Sequence, residues 1–254
     1  MRLKFVGTGN AAGMPAYGCD CSACVRAKNI IEYRRGPCSA ALMFDDQTLL
    51  LDAGSLQLGE RFPAGSFSRV LLTHYHMDHV QGLFPIRWGE GETIPVHGPA
   101  DEQGCDDLFK HPGILDFSDQ MQPFEQRSFG DVTVTPLPLN HSKLCLGYAI
   151  QYEEKRLAYL TDTAGLPEKT ALFLQNWKPD VMVLDCSTPP LKIEPRNHND
   201  LTMAIEVHEQ ISPRKTYLTH ISHTFDDWLA NNVGALPHDM HVANDSLTLD
   251  LTAR

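Results

Sequence analysis

The stretch LLTHYHMDHVQGL (residues 71–83) places several metal-binding side chains directly after an apolar, strand-like segment. The four residues, within six positions, are His74, His76, Asp78 and His79. Alternate side chains of an extended chain point to the same side, and a following helical turn would bring two more beside them. Imidazole and carboxylate together suit Zn, Mn or Fe better than Cu(I) or Ca. The stretch therefore predicts a metal site rather than a solvated polar loop.

Other apolar segments also end on a residue that can bind a metal. These endings are Asp52, Asp162, Asp185 and His220. Strand ends along one edge of a sheet are rigid positions from which ligands can converge. Four ligands as close as those of residues 74–79 can hardly all serve one tetrahedral ion, so two adjacent ions are expected. The remaining ligands are expected to be His141, Asp162 and His220.

Strand-like and helix-like segments alternate along the 254 residues without a linker or low-complexity segment. ALMF and TLLLDAG indicate a hairpin around residues 45–47. Helices are expected to begin near Met77, Asp101, Pro167 and Asp200, the last with a capping Asn-Asp pair. Hairpins mixed with strand–helix units predict an α/β protein of two sheets enclosed by helices, in a single domain spanning residues 1–254.

Composition limits the partners of this chain. The 32 Asp+Glu residues outnumber the 21 Lys+Arg residues, giving a formal net charge of −11, and no basic stripe is visible. Nucleic-acid binding draws most of its affinity from phosphate contacts, so a nucleic-acid partner is not expected, although a small anion at a metal site is. No apolar run approaches the ~18 residues of a membrane span, and the N-terminus does not fit a signal peptide. We expect a cytoplasmic protein that does not bind membranes, and a homodimer remains open.

The seven cysteines fall into two groups. Cys19, Cys21 and Cys24 form Cys-x-Cys-x-x-Cys in a loop after the first strand, and three thiolates lack one ligand for a closed tetrahedral zinc site. The alternative is three unpaired loop thiols. The other cysteines are scattered and are expected to be small core residues: Cys38, Cys105, Cys145 and Cys186.

THYHMDH, a lone histidine after an apolar strand, LTDT and a late LTHISH resemble the metallo-β-lactamase superfamily, in the order that this family presents them. The resemblance extends from GTGNAAGMP to THISHTFDDW and implies a four-layer αββα sandwich. It also implies a dinuclear site. One metal would be held by His74, His76 and His141, and the other by Asp78, His79 and His220, with Asp162 bridging the two.

Longer motifs are similar to one branch of that superfamily. GCDCSACVRA, THYHMDHVQGLFPIRWG, PLNHSKL, DTAGLPEKT and PRNHNDL resemble the PhnP family, the phosphoribosyl cyclic phosphodiesterases of the bacterial carbon–phosphorus lyase pathway. This resemblance implies that His223 completes a structural Zn²⁺ site with Cys19, Cys21 and Cys24. It favours Mn²⁺ over Zn²⁺ as the two divalent active-site metals. The implied substrate is a small phosphorylated sugar, 5-phosphoribosyl 1,2-cyclic phosphate, opened to ribose 1,5-bisphosphate in phosphonate catabolism.

His198 lies in EPRNHNDL, shortly after the strand ending at Asp185 and just before a capped helix whose N-terminus favours anions. The resemblance implies that His198 is a general acid for the leaving ribose oxygen, and that Asp78 belongs to the catalytic residues as well as to the ligands. Arg196 could contact a phosphate oxygen. Two cations roughly 3.5–4 Å apart would supply a nucleophile at neutral pH and stabilise charge on the phosphoryl oxygens.

Two alternatives share the fold. A tRNA 3′-processing endonuclease would carry a protruding tRNA-binding arm, for which the sequence shows no inserted Gly/Pro-rich or Lys-rich segment, and the acidity of the chain also counts against it. A non-hydrolytic cofactor-biosynthesis protein of the PqqB type resembles this chain at the cysteine loop. In such a role the His-x-His-x-Asp-His set could decay, whereas here it is intact.

Overall fold

The strands form two mixed sheets of seven strands each in the computed structural model, which describes residues 1–251. The first sheet has, in spatial order, β14 (Thr248–Asp250), β1 (Arg2–Gly7), β2 (Ser39–Phe44), β3 (Gln47–Leu51), β4 (Arg69–Leu71), β5 (Ile94–His97) and β6 (Leu115–Asp116). The second has β13 (Met240–Val242), β12 (Lys215–Thr219), β11 (Val181–Asp185), β10 (Lys155–Leu160), β9 (Leu146–Tyr152), β8 (Val132–Pro138) and β7 (Arg127–Phe129).

Helices cover the outer face of each sheet. The first sheet is covered by α2 (Leu58–Arg61), α3 (Met77–Val80), α4 (Leu83–Ile86) and α5 (Asp106–Lys110). The second is covered by α6 (Glu168–Trp177), α7 (Leu201–Ile211) and α8 (His223–Asn231). The helix α1 (Ser22–Asn29) lies beside α8, and a 3₁₀ turn (Ile31–Tyr33) packs against α1. The predicted four-layer αββα sandwich is confirmed.

Alternation along β2 and β3 fills the core on both sides of the first sheet. Leu42 and Leu49 face the second sheet, where they join Tyr148 and Ile150, whereas Ala41 and Leu50 face the helices. Side chains of a strand alternate between faces, so a strand buried on both sides is apolar throughout. Each fully buried leucine contributes about 1.5–3 kcal/mol relative to an exposed one. This packing holds the two sheets rigidly together.

Parallel pairing brings the strand ends that precede the candidate ligands to one edge of each sheet. β3, β4 and β5 are parallel neighbours in the first sheet, and β10, β11 and β12 are parallel neighbours in the second. Carboxyl ends of parallel strands lie at the same edge of a sheet. The two edges meet where Leu146 N donates to Thr73 O at 2.9 Å. The residues that follow the strands therefore converge between the sheets.

The helix starts agree with the sequence at three of four positions. Helices begin at Met77, at Glu168 after Pro167, and at Leu201, where the Asp200 side chain accepts a hydrogen bond from Met203 N at 2.9 Å. The helix expected near Asp101 begins at Asp106 instead. Asp101 Oδ1 accepts hydrogen bonds from the backbone of residues 103 and 104, and this local turn competes with a helix.

The cysteine segment is only partly a loop. Cys19 and Cys21 precede α1, but Cys24 lies within it and is fully buried. In residues 1–251, no helix combines the length and the apolar character required to cross a membrane.

Candidate metal centre

Three histidines form the first half of the centre. His74 Nε2 lies 2.9 Å from His76 Nδ1, and His141 Nε2 lies 3.0 Å from the same atom. His74 and His76 follow β4 in the first sheet, whereas His141 follows β8 in the second. Three imidazole nitrogens from two sheets thus point at one position, an arrangement that suits a divalent transition metal.

The second half of the centre consists of Asp78, His79 and His220. Asp78 Oδ2 lies 3.6 Å from the Nε2 atoms of both His79 and His220. These two Nε2 atoms are buried and have no hydrogen-bond partner among the described residues. Burying a polar atom without a partner costs free energy. A bound cation would satisfy both nitrogens, so these residues fit a metal.

Asp162 lies between the two halves. Its Oδ2 is 3.2 Å from His79 Nε2 and 3.3 Å from His220 Nε2. The same oxygen is 3.9 Å from His74 Nε2 and 4.0 Å from His141 Nε2. One carboxylate is therefore adjacent to both sets of ligands, as the predicted bridging role requires. The structure brings together all seven of the ligands predicted for the active site: His74, His76, Asp78, His79, His141, Asp162 and His220.

Neighbouring side chains orient the histidines. His79 Nδ1 donates to Asp52 Oδ2 at 2.9 Å, and Ser187 Oγ lies 2.8 Å from His220 Nδ1. Thr73 Oγ1 lies 3.0 Å from His74 Nδ1. A partner on the far nitrogen fixes the ring and its tautomer, leaving Nε2 for a metal. Asp52 was identified from sequence only as a strand-end carboxylate, and Ser187 and Thr73 were missed.

Burial and neighbouring charges set the protonation of the centre. Burial alone would raise the pKa of Asp162, but His220 and His79 outweigh it and hold that pKa well below its usual range. Burial lowers the pKa of His74 well below its usual value. The Asp162 carboxylate is therefore ionised and His74 is neutral, which are the forms that bind a cation.

His198 lies at the side of this centre. Its Nδ1 donates to Asp185 Oδ2 at 2.8 Å, and its ring stacks on that of His220 with centroids 4.6 Å apart. Burial would lower the pKa of His198, but Asp185 above all raises it to about 9. Among the described residues no hydrogen bond engages its Nε2. His198 is thus a protonated donor beside the candidate metal ligands.

Asp185 was recognised from sequence as a strand-end residue that could bind a metal, but its contact with His198 was not predicted. It is fully buried at the end of β11 and also accepts a hydrogen bond from Thr163 N at 3.0 Å. Arg196, in contrast, is exposed and takes part in no hydrogen bond or ion pair in the part of the chain that the structure describes. The structure therefore gives Arg196 no contact with the centre.

The cysteine cluster forms a second, separate site. Cys19 Sγ and Cys21 Sγ lie 3.4 and 3.5 Å from His223 Nδ1, and the four ligand atoms including Cys24 Sγ lie within 4.8 Å of one another. Burial raises the pKa of Cys24 to about 11. Three sulfurs and one imidazole nitrogen in a closed group fit a structural zinc site.

Polar contacts independent of any metal also hold α1 against α8. Ala23 N donates to Asp227 Oδ1 at 3.1 Å, and Arg26 of α1 forms an ion pair with Asp226 of α8. The remaining cysteines lie apart from the cluster. Cys38, Cys145 and Cys186 are buried, and Cys105 is half-buried.

Comparison with known proteins gives a family and several related folds. Residues 49–221 match the family model described as Beta-lactamase superfamily domain. The octanoyltransferase of Porphyromonas gingivalis (strain ATCC BAA-308 / W83) is 27% identical over an alignment of 237 residues that covers 88% of this chain and 46% of that protein. The chain spans about half the length of the curated relatives it matches.

Two solved structures superpose on nearly the whole chain. A crystal structure of a new diphosphatase from the PhnP family has a TM-score of 0.83 at 24% identity, covering 98% of this chain and 97% of that one. Zinc-bound PqqB from Methylobacterium extorquens has a TM-score of 0.80 at 21% identity, covering 99% and 100%. At these identities the likeness shows a shared fold.

Proposed function

The chain belongs to the metallo-β-lactamase superfamily, and from that premise we propose that it is a dinuclear metal-dependent phosphodiesterase acting on a small phosphorylated sugar. The predicted superfamily is confirmed, and the fold is that of the metallo-hydrolases. The substrate that we propose is 5-phosphoribosyl 1,2-cyclic phosphate, hydrolysed to ribose 1,5-bisphosphate in phosphonate catabolism. The active-site metals would be Mn²⁺ or Zn²⁺, and the cysteine site would hold Zn²⁺.

One observation supports this proposal most strongly. The Asp162 carboxylate lies 3.2–4.0 Å from ligand nitrogens of both histidine sets, and a protonated histidine, His198, lies 3.9 Å from the same carboxylate oxygen. Two cations held this way would supply a nucleophile at neutral pH and stabilise an anionic phosphoryl group. Hydrolysis of a phosphodiester requires such a nucleophile, stabilisation of the phosphoryl charge, and a proton for the leaving oxygen.

The residues of the chain perform the remaining tasks. Asp52 and Ser187 fix two of the ligand histidines, so the ligand atoms are in place before substrate binds. Asp185 holds His198 through Nδ1 and leaves Nε2 free to donate. A proton delivered to the departing ribose oxygen contributes roughly 10²–10⁴-fold to the rate. His198 would then be neutral and would regain its proton from water.

Two further candidates follow from the comparisons. One solved structure of the same fold is described as a diphosphatase, so hydrolysis of a phosphoanhydride is the second reaction to consider. The structural similarity to PqqB makes a role in cofactor biosynthesis another candidate. An intact ligand set with a positioned acid favours hydrolysis over that role. A tRNA 3′-endonuclease is disfavoured by the net charge of −11.

The experiment is a substrate comparison with purified protein reconstituted with Mn²⁺ or Zn²⁺. We expect turnover of 5-phosphoribosyl 1,2-cyclic phosphate and of bis(p-nitrophenyl) phosphate, with the cyclic sugar phosphate showing the higher kcat/KM. Nucleoside diphosphates and precursor tRNA are assayed in parallel, because they are the substrates expected of a diphosphatase and of a tRNA endonuclease. Preferential cleavage of either, or no hydrolysis of any of the four by fully metallated protein, would contradict the proposal.

A further inference from the structure

Lys143 is a half-buried cation two residues beyond the metal ligand His141. Both lie on the segment that joins β8 to β9, at the edge where the strand ends of the second sheet meet the centre. The Lys143 ammonium reaches across to the first sheet, where Nζ donates to the carbonyl oxygen of Gly104 at 3.3 Å. Gly104 lies in the segment that follows β5. In the first sheet, β5 is the neighbour of β4, the strand that precedes His74. The cation thus joins the two sheets, and it does so from the segment that carries the candidate ligand His141.

The acceptor of this hydrogen bond is held in place. A Cβ at Gly104 would lie 2.2 Å from the Phe109 ring, and the φ of +31° also disfavours a side chain there. Asp101 Oδ1 accepts from Gly104 N at 3.1 Å. Because this turn is closely packed, its carbonyl oxygen fixes the position of the Lys143 ammonium.

Lys143 has no carboxylate at close range. In residues 1–251 no carboxylate forms an ion pair with it, although the chain has 32 acidic residues. Two other partly or fully buried cations do have such partners, Arg35 with Asp226 and Arg87 with Asp107. An ammonium has three N–H donors, and the single contact with Gly104 O engages one of them. Two donors and a full positive charge therefore remain for a ligand.

We propose that Lys143 binds a second, non-reacting phosphate of the substrate and so selects substrates that carry two anionic groups. This inference rests on the proposed function, because the reacting phosphate would occupy the metal centre. A lysine binds phosphate as a compact point charge. Interactions with a remote group of the substrate help to orient the reacting bond. Lys143 is a specificity-determining residue in this account, not an acid or a base.

The test compares Lys143→Met, which keeps most of the aliphatic stem, with wild-type metallated protein. The two substrates are 5-phosphoribosyl 1,2-cyclic phosphate and the same compound without the 5-phosphate. A charged hydrogen bond accounts for roughly a 10- to 100-fold effect on KM for the phosphorylated substrate. We expect that increase in KM relative to the compound without the 5-phosphate, and partial recovery in Lys143→Arg.

The matched control is Lys110→Met, which removes the same charge from an exposed position on the neighbouring α5. It should keep the wild-type ratio of the two KM values. An equal increase in KM for both substrates in Lys143→Met would show that the lysine only joins the two sheets, and this result would overturn the proposal. An unchanged KM ratio would overturn it as well.

Calorimetric binding of ribose 5-phosphate separates this proposal from the proposed reaction. If neither cyclic phosphate is hydrolysed, the proposed function fails, yet binding of ribose 5-phosphate that weakens in Lys143→Met but not in Lys110→Met still supports the phosphate-binding role. Equal binding by Lys143→Met and wild type, or no binding by either, overturns that role.

Discussion

The two clusters of metal-binding side chains in this protein are assembled in different ways. Around Asp162, the ligands follow strands of both sheets, and three histidines contact Asp52, Ser187 or Thr73 through their far nitrogens. In the cysteine cluster, three ligands lie within residues 19–24 and only His223 comes from a distant segment. The first cluster is positioned by the fold, whereas the second joins two segments of the fold.

This difference predicts different consequences of losing a ligand. The packed sheets should hold the Asp162 centre in place without metal, so changes there should affect chemistry more than stability. A zinc ion in the cysteine cluster would close a loop of about two hundred residues, and structural zinc binding in small peptides is worth roughly 10–16 kcal/mol. Changes at the cysteines should therefore affect stability more than chemistry.

The largest effect is expected from Asp162→Ala. Since one carboxylate oxygen lies beside both ligand sets, its removal should lower the metal content and abolish turnover, a loss beyond the roughly 10–100-fold typical of outer-shell changes. Elemental analysis and phosphodiesterase assays measure both effects, with the exposed Asp131→Ala as control. Full activity with unchanged metal stoichiometry would exclude the bridging role.

His198→Ala should retain both active-site metals while lowering kcat by about 10²–10⁴-fold. The defect should shrink for p-nitrophenyl leaving groups, which need little protonation. The exposed His238→Ala should behave like wild type. If good and poor leaving groups are affected equally, His198 is not the acid.

Asp185→Asn should shift the pH profile of kcat. The Asp185 carboxylate is the main group that raises the pKa of His198 to about 9 against the lowering effect of burial. Because the acid must be protonated, the rate falls as pH rises through that pKa, and the fall should start at lower pH in the variant. Each unit by which the pKa drops removes about tenfold of the rate at high pH.

Asp239→Asn is the matched control for this change, because Asp239 contacts an exposed histidine, His238, at 3.0 Å. Both variants and wild type are measured with the same metal. A basic limb at the same pH in Asp185→Asn and wild type would show that Asp185 does not set the protonation of His198.

The smallest effect on chemistry is expected from Cys21→Ala. This variant should lose one zinc per chain and melt at a lower temperature, while its folded fraction keeps turnover, because contacts such as Ala23 with Asp227 still join α1 to α8. Cys105→Ala removes a thiol outside the cluster and is the control. Equal zinc content and melting temperature in Cys21→Ala and wild type would refute the zinc site.

The sequence predicted the two sheets and the side chains that come together as candidate ligands, because both have local signatures. Apolar strands that end on histidine or aspartate can be identified without a structure, and the resemblance assigned the ligands to metals. Short strands such as β6 and β7, with two and three residues, are too brief for a periodic pattern. The helix α8 was also not predicted, although Ser222 caps it by accepting a hydrogen bond from Phe225 N at 3.1 Å.

The roles of Asp185 and Ser187 could not have been predicted from sequence. Each lies on or just after β11 and contacts a histidine from another segment, His198 or His220. Such contacts depend on how strands and loops pack in three dimensions. The contact of Lys143 could not be predicted for the same reason, since its acceptor Gly104 is 39 residues away in the chain.

The claim that two ions share Asp162 is tested most directly by anomalous X-ray diffraction from crystals of the metallated protein, recorded at the manganese and zinc absorption edges. The account predicts two peaks flanking Asp162 Oδ2, one beside His74, His76 and His141 and the other beside Asp78, His79 and His220. A third peak, of zinc, should lie among Cys19, Cys21, Cys24 and His223. A single peak, or none, beside Asp162 in fully metallated crystals would contradict the dinuclear centre.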